Sequence, residues 1–154
     1  NSYKRLMGGS EAPTCACWGR ANRSALIRVP QFSPGKASSA RIEYRGLDSA
    51  SNPYLAYAVI LSAGLKGIEN EYELMPAVTE DLAAMTTAER RAMGYHPLPA
   101  SLREAINLTE DSEFMAEVLG EQVFEQFLRN KRADWEDYRA QVTPYELKHN
   151  LGIL

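Results

Sequence analysis

Arg41, Glu43 and Arg45 alternate with Ile42 and Tyr44 in the run Ala40-Arg41-Ile42-Glu43-Tyr44-Arg45. On a strand, residues two apart share a face, so one carboxylate stands between two guanidiniums while Ile42 and Tyr44 turn the other way. Three charges in such a row ordinarily make a solvated face. They can also hold an anion and a metal ion together. Arginine binds carboxylate or phosphate oxygens through paired N–H donors, and a glutamate oxygen suits a hard cation such as Mg2+. Arg23 and Arg28 lie shortly before this run, and Lys4 and Arg5 lie near the start of the chain. Glu11 sits in the loop Met7-Gly8-Gly9-Ser10-Glu11-Ala12-Pro13. Its two adjacent glycines permit unusual backbone angles, which suits either a plain turn or a flap, and Glu11 is the one residue there with acid–base chemistry to offer.

Three strands and one helix must position these groups. Thr14 to Gly19 reads as a strand, Arg20-Ala21-Asn22-Arg23 as a turn, and Ser24 to Pro30 as a second strand. Together they predict a hairpin with Arg23 at its turn and Arg28 on its return arm. Ala40 to Arg45 is the third strand, so the first half is expected to be a mostly antiparallel meander. Asn52 is a good N-cap and Pro53 suits the first helical position of the helix that follows. Leu55, Val59, Leu61, Leu65 and Ile68, with alanines between them, make that helix apolar nearly all round and predict burial beneath the sheet.

The second half reads as mostly helical. Thr86-Thr87-Ala88-Glu89 is a capping-box pattern for a short helix ending at Gly94. His96-Pro97-Leu98-Pro99 reads as an extended linker. Ser101 and Ser112 are expected to cap two further helices. Glu121 to Ala140 is a long amphipathic helix whose apolar side includes Phe124, Phe127, Leu128, Trp135 and Tyr138, with the last two expected in a core. Thr143-Pro144 starts a final short helix. The fold class expected is α+β, an antiparallel sheet packed on helices over residues 1–70 and a mostly helical region over 71–154.

The 154 residues, 45% hydrophobic and 24% charged, suit one globular domain with a real core. A net charge of −3 supplies no general attraction to nucleic acid or anionic membrane. The longest apolar stretch, Tyr54 to Leu65, is too short to span a bilayer. Cys15 and Cys17 are the only cysteines and are expected as buried thiols of a reducing, cytoplasmic protein. His96 and His149 are far apart and lack ligand spacing. The opening Asn1-Ser2-Tyr3-Lys4-Arg5 reads as the middle of a longer polypeptide, which predicts a fragment.

Five blocks in order carry a family resemblance: Asn1-Ser2-Tyr3-Lys4-Arg5; Glu11-Ala12-Pro13; Asn22-Arg23-Ser24-Ala25 with Arg28 and Pro30; Arg41-Ile42-Glu43-Tyr44-Arg45; and Asn52-Pro53-Tyr54-Leu55. This pattern resembles bacterial type I glutamine synthetase, in the C-terminal part of its catalytic domain, with the N-terminal β-grasp domain absent. The tail, from Leu98-Pro99-Ala100-Ser101-Leu102 to Val142-Thr143-Pro144-Tyr145-Glu146-Leu147, is similar as well, so the resemblance covers the whole chain. The resemblance implies ligation of ammonia to L-glutamate, with ATP as co-substrate and Mg2+ or Mn2+ as cofactor, through a γ-glutamyl phosphate. It implies that Arg5 and Arg45 face glutamate, and that Arg28 and Arg41 bind the nucleotide. It further implies that Glu43 is a metal ligand, that Arg23 stabilises the transferring phosphoryl group, and that Glu11 closes a flap over the intermediate and takes a proton from ammonium. Phosphoryl transfer is mostly positioning and charge stabilisation, which agrees with several fixed cations around one point. The family assembles as a dodecamer of two stacked hexamers, in which Leu147, Leu151, Ile153 and Leu154 would anchor the C-terminal segment to the opposite ring.

Two departures stand out. Gly9-Ser10-Glu11 replaces the Gly-Tyr-Glu usual in ammonia-using members, leaving room beside the amine site. Ala83 falls near the tyrosine position of the family's adenylylation loop, which argues against that control. Both features resemble actinobacterial paralogues, some of which are similar to glutamate–polyamine ligases. The runner-up activity is therefore ligation of glutamate to a polyamine. A non-catalytic interaction module is the alternative of another class.

Overall fold

The computed structural model describes residues 2–6, 12–82 and 84–153. Glu11 and the glycines before it, Ala83 and Leu154 lie outside the described residues. Contacts divide the chain into two compact units, Asn1–Ser101 and Leu102–Leu154.

The first unit opens with a short helix α1 (Ser2–Arg5), followed by β1 (Cys15–Ala16), β2 (Trp18–Arg20), β3 (Ile27–Val29) and β4 (Glu43–Tyr44). β1 pairs antiparallel with β5 (His96–Pro97), so the stretch expected as a linker is an edge strand. Proline lacks an N–H, and Pro97 is tolerated there because the edge asks little of it. Order β2-β3-β4 makes a three-stranded sheet. β3 and β4 are antiparallel as expected, with Arg28 opposite Glu43 and Ile27 opposite Tyr44. β2 and β3 are not a hairpin. They run parallel, with Trp18 opposite Ile27 and Arg20 opposite Val29. Alternation marks which residues share a face but carries no information on the direction of the neighbouring strand. Here the loop over residues 21–26 carries the chain back to start again alongside, and Ala21 takes a left-handed φ of 55° at its first position.

The core of this unit is built from Cys15, Cys17, Ala25, Val78, Leu82 and Tyr95, with Met75 and Met85 against it. Cys15 and Cys17 are buried free thiols on either side of exposed Ala16, as the alternation predicts. Burial pushes the Cys17 thiol up, away from the reactive thiolate. The segment 75–82 is laid along β2 and the loop behind it. Trp18 Nε1 donates to the Met75 carbonyl at 2.6 Å, and Val78 N–H donates to the Trp18 carbonyl at 2.9 Å. The approach is close enough that a Cβ on Gly19 would lie 2.8 Å from the Val78 carbonyl oxygen and 2.8 Å from the Asn22 Cβ. Neither atom is the free end of a side chain. Gly19→Ala is therefore expected to cost ~1–3 kcal/mol of stability through overpacking. Urea unfolding of the protein measures it; an unchanged midpoint would show that segment 75–82 can retreat without loss.

Helix α2 (Pro53–Glu69) forms where its signals place it. Asn52 Oδ1 accepts from Tyr54 and Leu55 N–H, and Pro53 occupies the first turn. Its expected burial is not found: no residue of α2 is buried, and Tyr54 and Ile68 are 84% and 75% exposed. A helix that is apolar all round needs apolar surface on several sides, and no element among the described residues packs broadly against α2. Helix α3 (Thr87–Ala92) carries the full capping box: Thr86 Oγ1 accepts from Glu89 N–H and the Glu89 carboxylate accepts from Thr86 N–H. Gly94, at φ 81°, follows its end.

The second unit is helical: α4 (Leu102–Glu110), α5 (Glu113–Leu119), α6 (Glu121–Arg139) and α7 (Pro144–Asn150). α4 and α5 both pack on α6, with Ile106 and Leu128 buried. Ser112 caps α5 and Gly120, at φ 71°, separates it from α6. Thr143 and Glu146 form a second capping box. Trp135 and Tyr138 touch in a tilted pair 5.9 Å apart, but Tyr138 is 51% exposed rather than in a core. They fall on the last turns of α6, a nineteen-residue helix that outruns the shorter α4 and α5 packed against it.

Candidate functional site

The Arg28–Glu43 register on β3 and β4 builds the site's centre. Directly opposed residues on an antiparallel pair bring their side chains together, and Arg28 Nη1 donates to Glu43 Oε2 at 2.7 Å. Arg41 reaches the other oxygen from two residues earlier, with Nε and Nη2 donating to Glu43 Oε1 at 3.1 and 2.8 Å. The sequence pattern placed the carboxylate between Arg41 and Arg45 on one strand; the structure places it between Arg28, on the neighbouring strand, and Arg41, which lies two residues before Glu43 and outside the two-residue strand β4. The Arg41 hydrogen bonds, followed by that from Arg28, hold the Glu43 carboxyl below the usual carboxylate range. It is therefore ionised wherever an ordinary glutamate is, and stays so to lower pH.

Arg45 lies just past β4. Its backbone N–H donates to the Leu26 carbonyl at 2.8 Å and its Nη1 to the Ala25 carbonyl at 3.4 Å. Arg5 comes from α1 to the same end of the strand. Its Nη2 donates to the carbonyls of Gly46 at 3.1 Å and Leu47 at 3.2 Å, and both terminal nitrogens approach the Arg45 carbonyl at 3.4–3.5 Å. Arg5 and Arg45, forty residues apart, are thus joined by hydrogen bonds. Arg23 is exposed on the loop between β2 and β3. Among the candidates, Glu43, Arg28 and Arg41 form one contact cluster and Arg5 and the Arg45 backbone another.

Two features were not legible as functional residues. Asn22 and Ser24 flank Arg23 and bind the segment 78–82; an Asn with Ser two positions on is an Asx-turn pattern, the one signal that could have marked them. Arg28 Nε is buried without a hydrogen-bond partner among the described residues, a donor left over beside Glu43.

The donor chemistry bears on a metal. A carboxylate offers about four lone-pair positions, and three are taken by the two arginines. Glu43 is an oxygen ligand of the kind a hard divalent cation takes, with one position uncommitted. No group of three or more His, Cys, Asp or Glu residues converges among the described residues. The described residues thus fit a hard divalent cation as the source of one ligand and not as a complete site.

Residues 1–150 match the catalytic domain of glutamine synthetase. The chain belongs to that family. Glutamine synthetase of Mycolicibacterium smegmatis is 58% identical over 153 residues, which are 99% of this chain and 34% of that protein. The Archaeoglobus fulgidus glutamine synthetase is 44% identical over 153 residues, 99% of this chain and 31% of the relative. The chain thus spans about a third of the relatives' length and corresponds to their C-terminal part. A GmaS–ADP complex superposes with a TM-score of 0.76 at 32% identity, covering 92% of this chain and 30% of the other. The glutamine synthetase of Plasmodium falciparum also gives 0.76, at 22% identity, over 97% of this chain and 36% of the other, a likeness of fold. The α+β class expected from the sequence is that of the family.

Proposed function

We propose that this chain supplies the arginine-rich wall of an ATP-dependent glutamate–ammonia ligase site, within a polypeptide of the family's full length. The observation that carries the reading is Glu43 on β4 held between Arg28 of the adjoining β3 and Arg41 two residues before it, in a chain of this family. In this reading the glutamate γ-carboxylate attacks the terminal phosphorus of ATP, ADP leaves, and ammonia then displaces phosphate from the γ-glutamyl phosphate. Arg28 and Arg41 bind nucleotide phosphates. Arg28 Nε is a donor that a phosphate oxygen can satisfy once the guanidinium turns toward it. Arg23 stabilises negative charge on the transferring phosphoryl group. Arg5 and Arg45 receive glutamate; five N–H donors let Arg5 keep its strand carbonyls and still bind a carboxylate.

Glu43 would hold a divalent cation, Mg2+ or Mn2+, which supplies charge neutralisation for the phosphates. Glu11 is the flap base that shields the acyl phosphate from water and accepts the ammonium proton. A cytoplasmic setting is supported by the buried free thiols of Cys15 and Cys17, which suit a reducing compartment. Assembly as a dodecamer is supported by the apolar end of the chain, where Leu147, Leu151 and Ile153 are 49%, 70% and 82% exposed. Such exposure on a short segment is a liability unless another subunit covers it.

A second reading, ligation of a polyamine, is favoured by Ser10 in place of a bulky flap residue. One experiment tests both: ATP-dependent product formation by the full-length protein, with ammonia against putrescine or spermine. Glutamine formation supports the first reading, an amide with the polyamine alone supports the second, and neither product overturns both. The 154 residues by themselves are expected to be inactive, since one carboxylate does not build a two-metal site; glutamine formed by the isolated chain would refute this.

A further inference from the structure

We propose that Asn22 and Ser24 are positioning residues for Arg23, clamping the loop that carries it to the segment 78–82. The inference rests on the phosphoryl-transfer role proposed above for Arg23. The Asn22 amide is used in full. Its Nδ2 donates to the Val78 carbonyl at 3.2 Å and to the Glu80 carbonyl at 3.0 Å. Its Oδ1 accepts from the Ser24 N–H at 2.8 Å and from the Ser24 hydroxyl at 2.8 Å. Ser24 Oγ in turn accepts the Leu82 N–H at 3.3 Å, and Ser24 is buried. Arg23 therefore projects from between two residues that both bind the same distant segment. That segment is itself anchored, because Val78 and Leu82 are 1% and 0% exposed.

The loop is held against its own preference at its first position. Ala21 has a φ of 55°, a conformation rare for residues with a side chain, and its N–H is bonded to the Val29 carbonyl at 3.2 Å. The close approach at Gly19 brings Val78 within reach of Asn22. A long exposed arginine has several rotatable bonds, and it can meet developing charge at a set point only if its backbone origin is fixed. Charge stabilisation depends on such preorganised placement, and a displacement of about 1 Å can cost roughly 100-fold in rate. A serine hydroxyl and one amide that bind each other and both ends of a core-anchored segment provide that fixed origin.

The test is a double-mutant cycle on turnover in the full-length enzyme, with thermal unfolding in parallel. Asn22→Ala is expected to lower kcat roughly 10- to 100-fold while KM for ATP and for glutamate changes little. Added to Arg23→Ala, the same substitution is expected to lower kcat hardly further, because the group it positions is gone. Ser24→Ala, which removes one oxygen, is expected to act in the same direction and more weakly; it decides by the same criteria should Asn22→Ala fail to fold. Full additivity of the Asn22 and Arg23 effects, or a folded Asn22→Ala enzyme with unchanged kcat, overturns the positioning role. A different result, unchanged turnover in Arg23→Ala itself, removes the role of Arg23 and with it the basis of the clamp, so the two failures are told apart.

Discussion

Glu43→Gln in the full-length enzyme is expected to reduce turnover by roughly 100-fold or more and to raise the Mg2+ concentration needed for half-maximal rate. Glutamine keeps the size of the side chain and removes its charge. Arg28 Nη1, at 2.7 Å, and Arg41 Nη2, at 2.8 Å, then converge on a neutral amide. Two like charges lose the anion between them and, on the roles proposed above, the nucleotide phosphates would lose both a metal ligand and the alignment of their arginines. The stability effect should be small by comparison. All three side chains are partly or largely exposed, and ion pairs in such settings contribute little to folding. The measurement is kcat as a function of Mg2+ beside a melting curve. Unchanged turnover and unchanged Mg2+ dependence would mean that the charged strand pair is only a solvated face.

The Glu11→Ala enzyme is expected to lose amide formation by about 100-fold or more, the range of a positioned general base, while ATP consumption falls much less. On the role proposed for Glu11, the ammonium proton would lose its acceptor. The acyl phosphate would then wait in a site less well closed to water and be hydrolysed or cyclise. ADP release should outrun amide product, where the proposed reaction, with its flap intact, is expected to keep the two equal. A glycine-rich loop residue carries little of the fold, so the melting temperature should hardly move. If ADP and amide fall together and remain matched, or the melting temperature collapses, Glu11 is not the flap base.

Local signals in the sequence determined the elements whose cause is local. Asn52-Pro53 starts α2, Thr86 with Glu89 and Thr143 with Glu146 close capping boxes, and Gly94 and Gly120 end helices with positive φ. Each depends on hydrogen bonds within three or four residues, so spacing along the chain is enough to read it. Cys15 and Cys17 are buried on one face for the same reason, because a strand alternates. The charged run was legible too, and with it the pairing of Arg41 with Glu43, two residues apart. What came only from the tertiary structure was the partner on the other side. Arg28 meets Glu43 through an antiparallel register between strands fifteen residues apart, and no local pattern states a register. The parallel run of β2 and β3, the Arg5 bridge to residues 45–47 and the clamp of Asn22 and Ser24 on residues 78–82 are likewise contacts between distant segments. Helix α2 shows the converse. Its sequence states that it must be covered, but burial is a property of the surface brought against a helix, and the described residues leave it exposed.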